Sequence, residues 1–410
     1  LTVIDVCNAL RSRGWDKLTD EAIDEGLSHA QWPGRLELLR RGPDFIVDGA
    51  HNPQCVDALM DSLAPADRFP ASWEHDGTTR YTSAKGWISG FFPGNIWYLY
   101  EYTGDAKWLE APLRRTAQLE TLRHYTQTHD VGFMVGCPCS LAYRLTRDDY
   151  YKQLMIDSSE ALISRFDPAV GLIRSWNNKD GKANPFRVII DNMMNLDLLF
   201  NVSKLTGNEK YKNVAVKHAQ TTMKNHFRPD YTSYHVVSYN NDGSVEIKQT
   251  HQGKNAESAW SRGQAWGVYG YTSCYRETRD TAFLQEAVHI ADMIMERVKT
   301  DDLIPYWDYD APAGEKTPRD ASAAAVTASA FLELSTFVPD GKKYSDYAET
   351  ILKNLSGTKY LAAKGSNQGY VLMHSTGSLP HGSEIDVPLN YADYYYMEAL
   401  KRYIDLKNKG

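Results

Sequence analysis

Phe186-Arg187-Val188-Ile189-Ile190-Asp191-Asn192-Met193-Met194-Asn195-Leu196-Asp197-Leu198-Leu199-Phe200 carries an apolar run into a helix, with a carboxylate at the junction. Met193, Leu196 and Phe200 recur at helical spacing. Asp191 therefore stands at a helix N-terminus, on the side that faces a core or a cavity. Downstream, the helix predicted over 192–205 runs into Thr206-Gly207-Asn208, and a second predicted helix follows over 210–226. This unit of helix, short polar turn and helix decides the fold, because it recurs. Helices over 92–102 and from about Trp108 flank Thr103-Gly104-Asp105, and helices on both sides flank Thr146-Arg147-Asp148. Helices over 261–277 and 283–298 flank Thr278-Arg279-Asp280, and those over 321–337 and 344–355 flank Pro339-Asp340-Gly341. A last helix is predicted over 388–406. The uneven spacing of the turns makes the repeat structural rather than a strict sequence period.

In each pair the first helix is rich in small and aromatic residues and opens after a Gly or Pro loop, while the second is more amphipathic. That division suits two concentric rings, with inner helices packed on all sides and outer helices half exposed. The predicted fold is all-α, an (α/α)6 barrel over about 65–406. Five outer partners are visible against six inner helices, so the sixth should precede Trp87. The clearest strand signal lies at 231–248, where Asn240-Asn241-Asp242-Gly243 reads as the turn of a hairpin.

Composition bounds the function. A net charge of −7 over 410 residues argues against a general nucleic-acid binder, though not against an anionic small substrate, which needs only a local cluster of donors. Ten Trp and 26 Tyr give an aromatic richness common among carbohydrate-handling proteins. Cys7, Cys55, Cys137, Cys139 and Cys274 are too sparse for a disulfide framework. Cys137-Pro138-Cys139 lacks a second ligand pair, so no zinc is expected, and nothing in the sequence asks for a cofactor. No apolar run reaches the roughly 18 residues of a membrane span. The polar start shows neither a signal peptide nor an initiator Met. It reads as a replaced N-terminus, and leaves cytoplasmic and periplasmic placement both open.

The first sixty residues look foreign to the rest. Trp32-Pro33-Gly34-Arg35-Leu36-Glu37, followed by a strand ending in Asp48-Gly49-Ala50-His51-Asn52-Pro53, resembles the piece of folylpolyglutamate synthase that joins its two domains. The likeness covers about 1–59. The phosphate-binding G-x-x-x-x-G-K-[ST] loop of such a ligase occurs nowhere in the chain, so no ligase activity is expected of this fragment.

Chemistry should gather where the loops enter the inner helices, since these loops converge on one end of the ring. They carry Trp87-Ile88-Ser89-Gly90-Phe91-Phe92-Pro93-Gly94, then His129-Asp130-Val131-Gly132-Phe133-Met134, then Asp191-Asn192. Next come His251-Gln252-Gly253 with Ser258-Ala259-Trp260-Ser261-Arg262-Gly263-Gln264-Ala265-Trp266, then Arg319-Asp320, and last His381, Glu384 and Asp386. Each has a plain alternative. Asp191 and Asp130 would serve as helix N-caps. His129 and His235 would serve as core or surface histidines. Asp308, Asp310 and Asp320 read as caps or turn residues. Arg262 between two tryptophans reads better as a stacked, cavity-facing guanidinium than as a solvated one.

From about Pro65 to Leu406 the chain resembles the unsaturated glucuronyl hydrolases, glycoside hydrolase family 88. The matching stretches are W-x-S-G-F-F-P-G at Trp87, H-D-V-G-F-M at His129, D-N-M-M-N at Asp191, H-Q-G at His251 and S-A-W-S-R-G-Q-A-W at Ser258. The resemblance implies the (α/α)6 barrel. It also implies cleavage of lyase-generated oligosaccharides that carry a 4,5-unsaturated uronic acid at the non-reducing end. It makes Asp191 the general acid/base and Asp130 its supporting carboxylate. It places His235, Gln252 and Arg262 on the uronate and the water. Trp176, Trp260 and Trp266 become aromatic walls, and Trp87 and His129 further substrate contacts. Such a reaction needs one carboxyl protonated at the start, and an ionised Asp130 nearby would hold that proton on Asp191 as a coupled pair. Ser375-Thr376-Gly377-Ser378 lies where sulfate contacts form in such enzymes, but no Lys follows it. The competing readings are an unsaturated rhamnogalacturonyl hydrolase acting on pectin fragments, and an inactive carbohydrate-binding barrel. Oligomeric state is not legible.

Overall fold

Each Thr-x-Asp or Thr-x-Asn triplet ends one helix and starts the next in the computed structural model, which describes residues 19, 37–40, 45–47, 67–178, 185–364 and 366–409. α1 (Phe91–Thr103) is followed by α2 (Glu110–Ala117), and α3 (Cys137–Thr146) by α4 (Asp149–Ile163). α5 (Asn192–Thr206) is followed by α6 (Glu209–His226), and α7 (Ser261–Thr278) by α8 (Thr281–Arg297). At each turn the Thr hydroxyl donates to the carbonyl four residues back. The middle residue is left-handed, at φ 62° for Gly104, 59° for Arg147, 70° for Gly207 and 59° for Arg279. The Asp or Asn side chain then accepts from the backbone N–H two residues on and caps the next helical segment. Three residues thus satisfy the carbonyls of one helix and the amides of the next. α9 (Ala321–Leu334) and α10 (Lys342–Leu355) are joined by a turn at Gly341, and α11 (Asn390–Lys409) completes the described set.

The odd-numbered helices touch one another in a closed cycle from α1 through α3, α5, α7, α9 and α11 back to α1. Each even-numbered helix packs on the odd helix before it. Burial follows the cycle: α9 is buried over nearly its whole length, whereas α10 buries only Tyr344, Ala348, Ile351, Leu352 and Leu355. The cycle closes at a seam between the two ends of the unit. There Asn390 Nδ2 donates to the carbonyls of Pro70 (2.7 Å) and Ile88 (3.1 Å), and Asn95 Nδ2 donates back to the Asn390 carbonyl (3.1 Å).

The chain divides into two compact units, 1–52 and 53–410. In the first, β1 (Glu37–Arg40) pairs antiparallel with β2 (Phe45–Val47). The Asp48–Pro53 motif lies outside the described residues. So does 53–66, and the hairpin β3 (Phe69–Trp73) and β4 (Thr79–Thr82) occupies the described stretch where a sixth outer helix was expected. No described helix is long and apolar enough to cross a membrane. Cys137, Cys139 and Cys274 are free thiols.

The helical reading needs one correction, because short sheets dress the entry end. Beyond the two-residue pair β5 (Phe166–Asp167) and β6 (Leu172–Ile173), a three-stranded sheet is built from β7 (Phe186–Ile189), β8 (Val236–Tyr239) and β9 (Val245–Gln249). The hairpin predicted over 231–248 is β8–β9. The apolar run before Asp191 joins it as β7, because Phe186 and Val188 pack with Val170, Leu172, Val237 and Tyr239.

His226 closes α6 with both ring nitrogens buried and without a partner. Burial, aided by the Lys248 charge, pushes its pKa down from 6.5 to about 3. A histidine depressed in this way contributes its stability above pH 6.5 and loses it as pH falls toward the folded value. The Glu286 and Asp393 carboxyls, pushed up by burial to about 7, act in the opposite sense. His226→Phe keeps the ring and leaves those carboxyls unchanged. The variant should escape a loss of about 2 kcal/mol between pH 6.5 and 5 that the parent suffers. Unfolding free energies at the two pH values check this; equal losses in both proteins would refute it.

Candidate active site

Strand register brings the first pair of site residues together. β7 and β8 run antiparallel with Ile189 opposite Val236, and the Ile190 N–H continues the ladder to the His235 carbonyl (3.0 Å). One residue further, Asp191 begins α5 beside the His235 ring. Its backbone is already helical, and its carboxylate makes no cap bond, unlike Asp105, Asp148, Asn208 and Asp280 at the far end. The N-cap alternative therefore fails. Asp191 is 7% exposed, and its Oδ2 has no hydrogen-bond partner. Nε2 of His235 lies 3.5 Å from that oxygen.

The His235 ring is fixed on its other side. Its Nδ1 accepts from the backbone N–H of His251 (3.2 Å) and of Gln252 (3.1 Å), so the ring proton sits on Nε2, the nitrogen nearest Asp191. Trp260 lies under the ring at 4.4 Å between centroids. An N–H donor is thus held against an otherwise orphaned carboxylate oxygen.

Asp130 is differently placed. Its Oδ1 lies 3.1 Å from His129 Nε2, and its Oδ2 accepts from Thr128 Oγ1 at 2.6 Å. Burial would raise this carboxyl, but the His129 ring, the Thr128 hydroxyl and the Arg165 charge outweigh it and hold Asp130 below the usual carboxylate range. Ser175 links the two carboxylate loops, since its Oγ bonds His129 Nδ1 (3.4 Å) and accepts from the Ile189 N–H (3.0 Å). Asn195 links them again, accepting from the Phe133 N–H (3.0 Å) and donating to the Asp191 carbonyl (3.4 Å). The approach requires a glycine: a Cβ on Gly132 would lie 2.5 Å from Asn195 Cα.

The Arg262 Nη atoms, which the resemblance implied would hold the uronate, are engaged within the protein. Arg262 is 1% exposed, with Nη1 bonded to Asp320 Oδ2 (2.7 Å) and the Thr376 carbonyl (2.6 Å), and Nη2 to the Gly377 carbonyl (2.7 Å). Trp260 flanks the guanidinium at 4.5 Å and Tyr391 at 5.3 Å. Gln252 is engaged likewise, through Nε2 to the same Gly377 carbonyl (2.9 Å). Trp260 and Trp266 are also corrected as open sugar-binding walls. They are 2% and 0% exposed, Trp260 as the plate between His235 and Arg262, Trp266 packed on Phe133 and Tyr395. Trp87 and Trp176 are only half-buried; Trp87 packs on Tyr391, and Trp176 meets the rings of His235 and His251. Asp308 and Asp310 are turn residues as read, accepting from Ser258 Oγ and the Ala259 N–H. Asp320 caps α9 and also pairs with Arg262.

Two further residues complete this end. The Tyr391 hydroxyl is buried without a partner, and burial keeps its pKa well above the usual value, so it remains a donor. Glu384 is pushed up by burial, only partly offset by Arg80 and Arg262. Tyr391 was missed because it sits among many tyrosines of α11. Its one signal was its position, at the mouth of an inner helix. Among the described residues no three His, Cys, Asp or Glu side chains converge as a metal site requires. What converges is a set of buried polar atoms without protein partners: Asp191 Oδ2, His235 Nε2, Arg262 Nε and the Tyr391 hydroxyl. Such a site can give and take a proton, and can hydrogen-bond a polar ligand between aromatic rings.

Residues 63–407 match the family described as Glycosyl Hydrolase Family 88. An unsaturated glucuronyl hydrolase of Formosa agariphila is 45% identical over 349 residues, covering 84% of this chain and 86% of the relative. A crystal structure of an unsaturated glucuronyl hydrolase specific for heparin superposes with a TM-score of 0.83 at 48% identity, covering 87% of this chain and 95% of that one. The glycosaminoglycan-degrading unsaturated glucuronyl hydrolase of Bacillus sp. GL1 gives 0.78 at 29% identity, covering 85% and 96%. The N-terminal stretch is similar to something else. It is 46% identical over 46 residues to a dihydrofolate synthase/folylpolyglutamate synthase of Bacillus subtilis, 11% of each chain.

Proposed function

We infer the activity from one premise: the chain belongs to Glycosyl Hydrolase Family 88. It is a glycoside hydrolase that removes the 4,5-unsaturated uronic acid from the non-reducing end of glycosaminoglycan-type oligosaccharides. The closed cycle of helices is taken as an (α/α)6 barrel. The catalytic unit is taken as about 65–406, with the folate-ligase-like fragment playing no part in the chemistry.

The substrate's C4=C5 bond is an enol ether conjugated to a carboxylate. Asp191 protonates C4, leaving an oxocarbenium-like centre at C5. Water adds there, and its proton returns to the Asp191 carboxylate. The hemiketal so formed opens and releases the remaining sugar. The observation that carries this assignment is the buried, uncapped Asp191 oxygen facing the Nε2–H of His235. That donor orients the carboxylate and supports its anionic form between the two proton transfers. Asp130, held ionised by His129 and Thr128, supplies a fixed negative charge toward the developing cation. Trp87 and Trp176, half-exposed at the mouth, are the faces left for sugar packing.

The test is turnover of unsaturated chondroitin, hyaluronan, heparin and pectin disaccharides, followed by loss of the ultraviolet absorbance of the conjugated double bond. Turnover of at least one glycosaminoglycan disaccharide is expected. Turnover of the pectin fragment alone would move the protein to the rhamnogalacturonyl group. No turnover of any would leave a binding barrel.

A further inference from the structure

His235, which faces Asp191, is held by a hydrogen-bonded chain that runs through loops and the starts of two inner helices. Asp320 Oδ2 accepts from Arg262 Nη1 (2.7 Å), and Arg262 Nη2 donates to the Gly377 carbonyl (2.7 Å). The same carbonyl accepts from Gln252 Nε2 (2.9 Å). The Gln252 backbone N–H donates to His235 Nδ1 (3.1 Å), and His235 Nε2 faces Asp191 Oδ2 (3.5 Å). Five places are joined: the start of α9, the start of α7, the 375–378 segment, the 250–253 loop and His235 just before β8.

We propose that Asp320 is a positioning residue for this reaction, acting through Arg262 on the Thr376–Gly377 backbone and the Gln252 amide to set the geometry in which the sugar is held. Asp320 suits the task because it is itself fixed. Its Oδ1 accepts from the backbone of Ser322 and Ala323 and from the Ser322 hydroxyl, so only Oδ2 is left for Arg262. Both partners are essentially unexposed, where a fork-shaped cation on an anchored carboxylate has little freedom to swing. The fork places two donors on consecutive carbonyls, and a point charge cannot do that. Gly377 must approach closely as well, since a Cβ there would lie 2.2 Å from Glu384 Oε2. The clamp therefore holds the Gly377 carbonyl in a segment that Thr376 Oγ1 also ties to the Arg319 carbonyl (2.9 Å).

The proposal rests on the hydrolase reading above, and the experiment separates the two. The full chain and the variants Asp320→Asn, Arg262→Lys and Gln252→Ala are assayed on whichever unsaturated disaccharide the parent turns over, with melting temperature as the folding control. Asp320→Asn keeps the α9 cap, since Asn caps about as well as Asp. It should raise KM about tenfold or more while kcat falls less than about threefold. Arg262→Lys keeps a charge for Asp320 but loses the fork, and should show the same split. Asp320→Asn combined with Gln252→Ala should be no worse than the poorer single variant, because both cut one chain of contacts. If Asp320→Asn fails to fold, the Arg262→Lys split decides. An unchanged KM in folded variants, or equal falls in kcat and kcat/KM, overturns the proposal. A parent without turnover refutes the hydrolase reading instead.

Discussion

Asp191→Asn should abolish most of the turnover and leave the fold intact. Asn has the shape of Asp but neither donates nor accepts the catalysed proton. General acid–base catalysis contributes on the order of 10² to 10⁴-fold, and here one group serves both protonation and water activation, so a loss at the upper end is expected. Stability should barely move. The Asp191 side chain makes no cap bond, so its replacement removes none from α5. The side-chain oxygen near His235 Nε2, 3.5 Å away, makes no hydrogen bond that the amide would have to replace. Steady-state rates and a melting curve on the same preparation check both halves. A rate within tenfold of the parent would remove Asp191 from the mechanism. Asp130→Asn should cost less, because its contribution is a charge and not a proton.

Gly132→Ala should be nearly as damaging by another route. The added Cβ would lie 2.5 Å from the backbone Cα of Asn195, with the Asn195 side chain crowding the same space. Backbone cannot rotate away, so α5 and the π-helical turn Gly132–Gly136 must part. Overpacking of this kind costs typically about 1–3 kcal/mol. The larger effect should fall on catalysis. Asn195 bridges the Phe133 N–H and the Asp191 carbonyl, so separating the two elements moves one carboxylate relative to the other. A displacement of about 1 Å at such a site can cost on the order of 10²-fold in rate. Wild-type kcat in a folded Gly132→Ala protein would show that the carboxylates do not depend on this contact.

The contrast between Asp191 and Arg262 shows what could be read from sequence. Asp191 was legible because its neighbours in sequence decide its setting. An apolar strand precedes it, a helix comes directly after it, and the local pattern exposes the carboxylate to the ring's interior. The four Thr-x-Asp/Asn turns were legible for the same reason, since every bond in them spans four residues or fewer. The stacking of Arg262 on Trp260 was legible, but its bonded partners were not, because they are decided elsewhere. Its partners are Asp320, Thr376 and Gly377, and no pattern near Trp260 or Trp266 announces them. Trp266 was misread likewise, as an aromatic beside a charged residue that in fact packs into the ring's core. Strand β7 was hidden because its pairing partner, β8, lies beyond two intervening helices. Local grammar thus revealed the ring and the buried setting of Asp191, while the contacts around it are long-range.

The seam at Asn390 imposes an order on synthesis. A ribosome releases the chain from its N-terminal end, and α1 emerges long before the residue that must lie beside it. Until Asn390 is made, the carbonyls of Pro70 and Ile88 lack the side-chain donor that ties them to α11, and the faces of α1 and α9 that α11 will cover stay open to water. Tyr391, which packs on Trp87 and Arg262, arrives in the same stretch. A nascent chain that ends short of α11 can hold every carboxylate of the site and still be an unclosed ring. Such a chain, whether stalled or cut, is a client for chaperones rather than a slower enzyme.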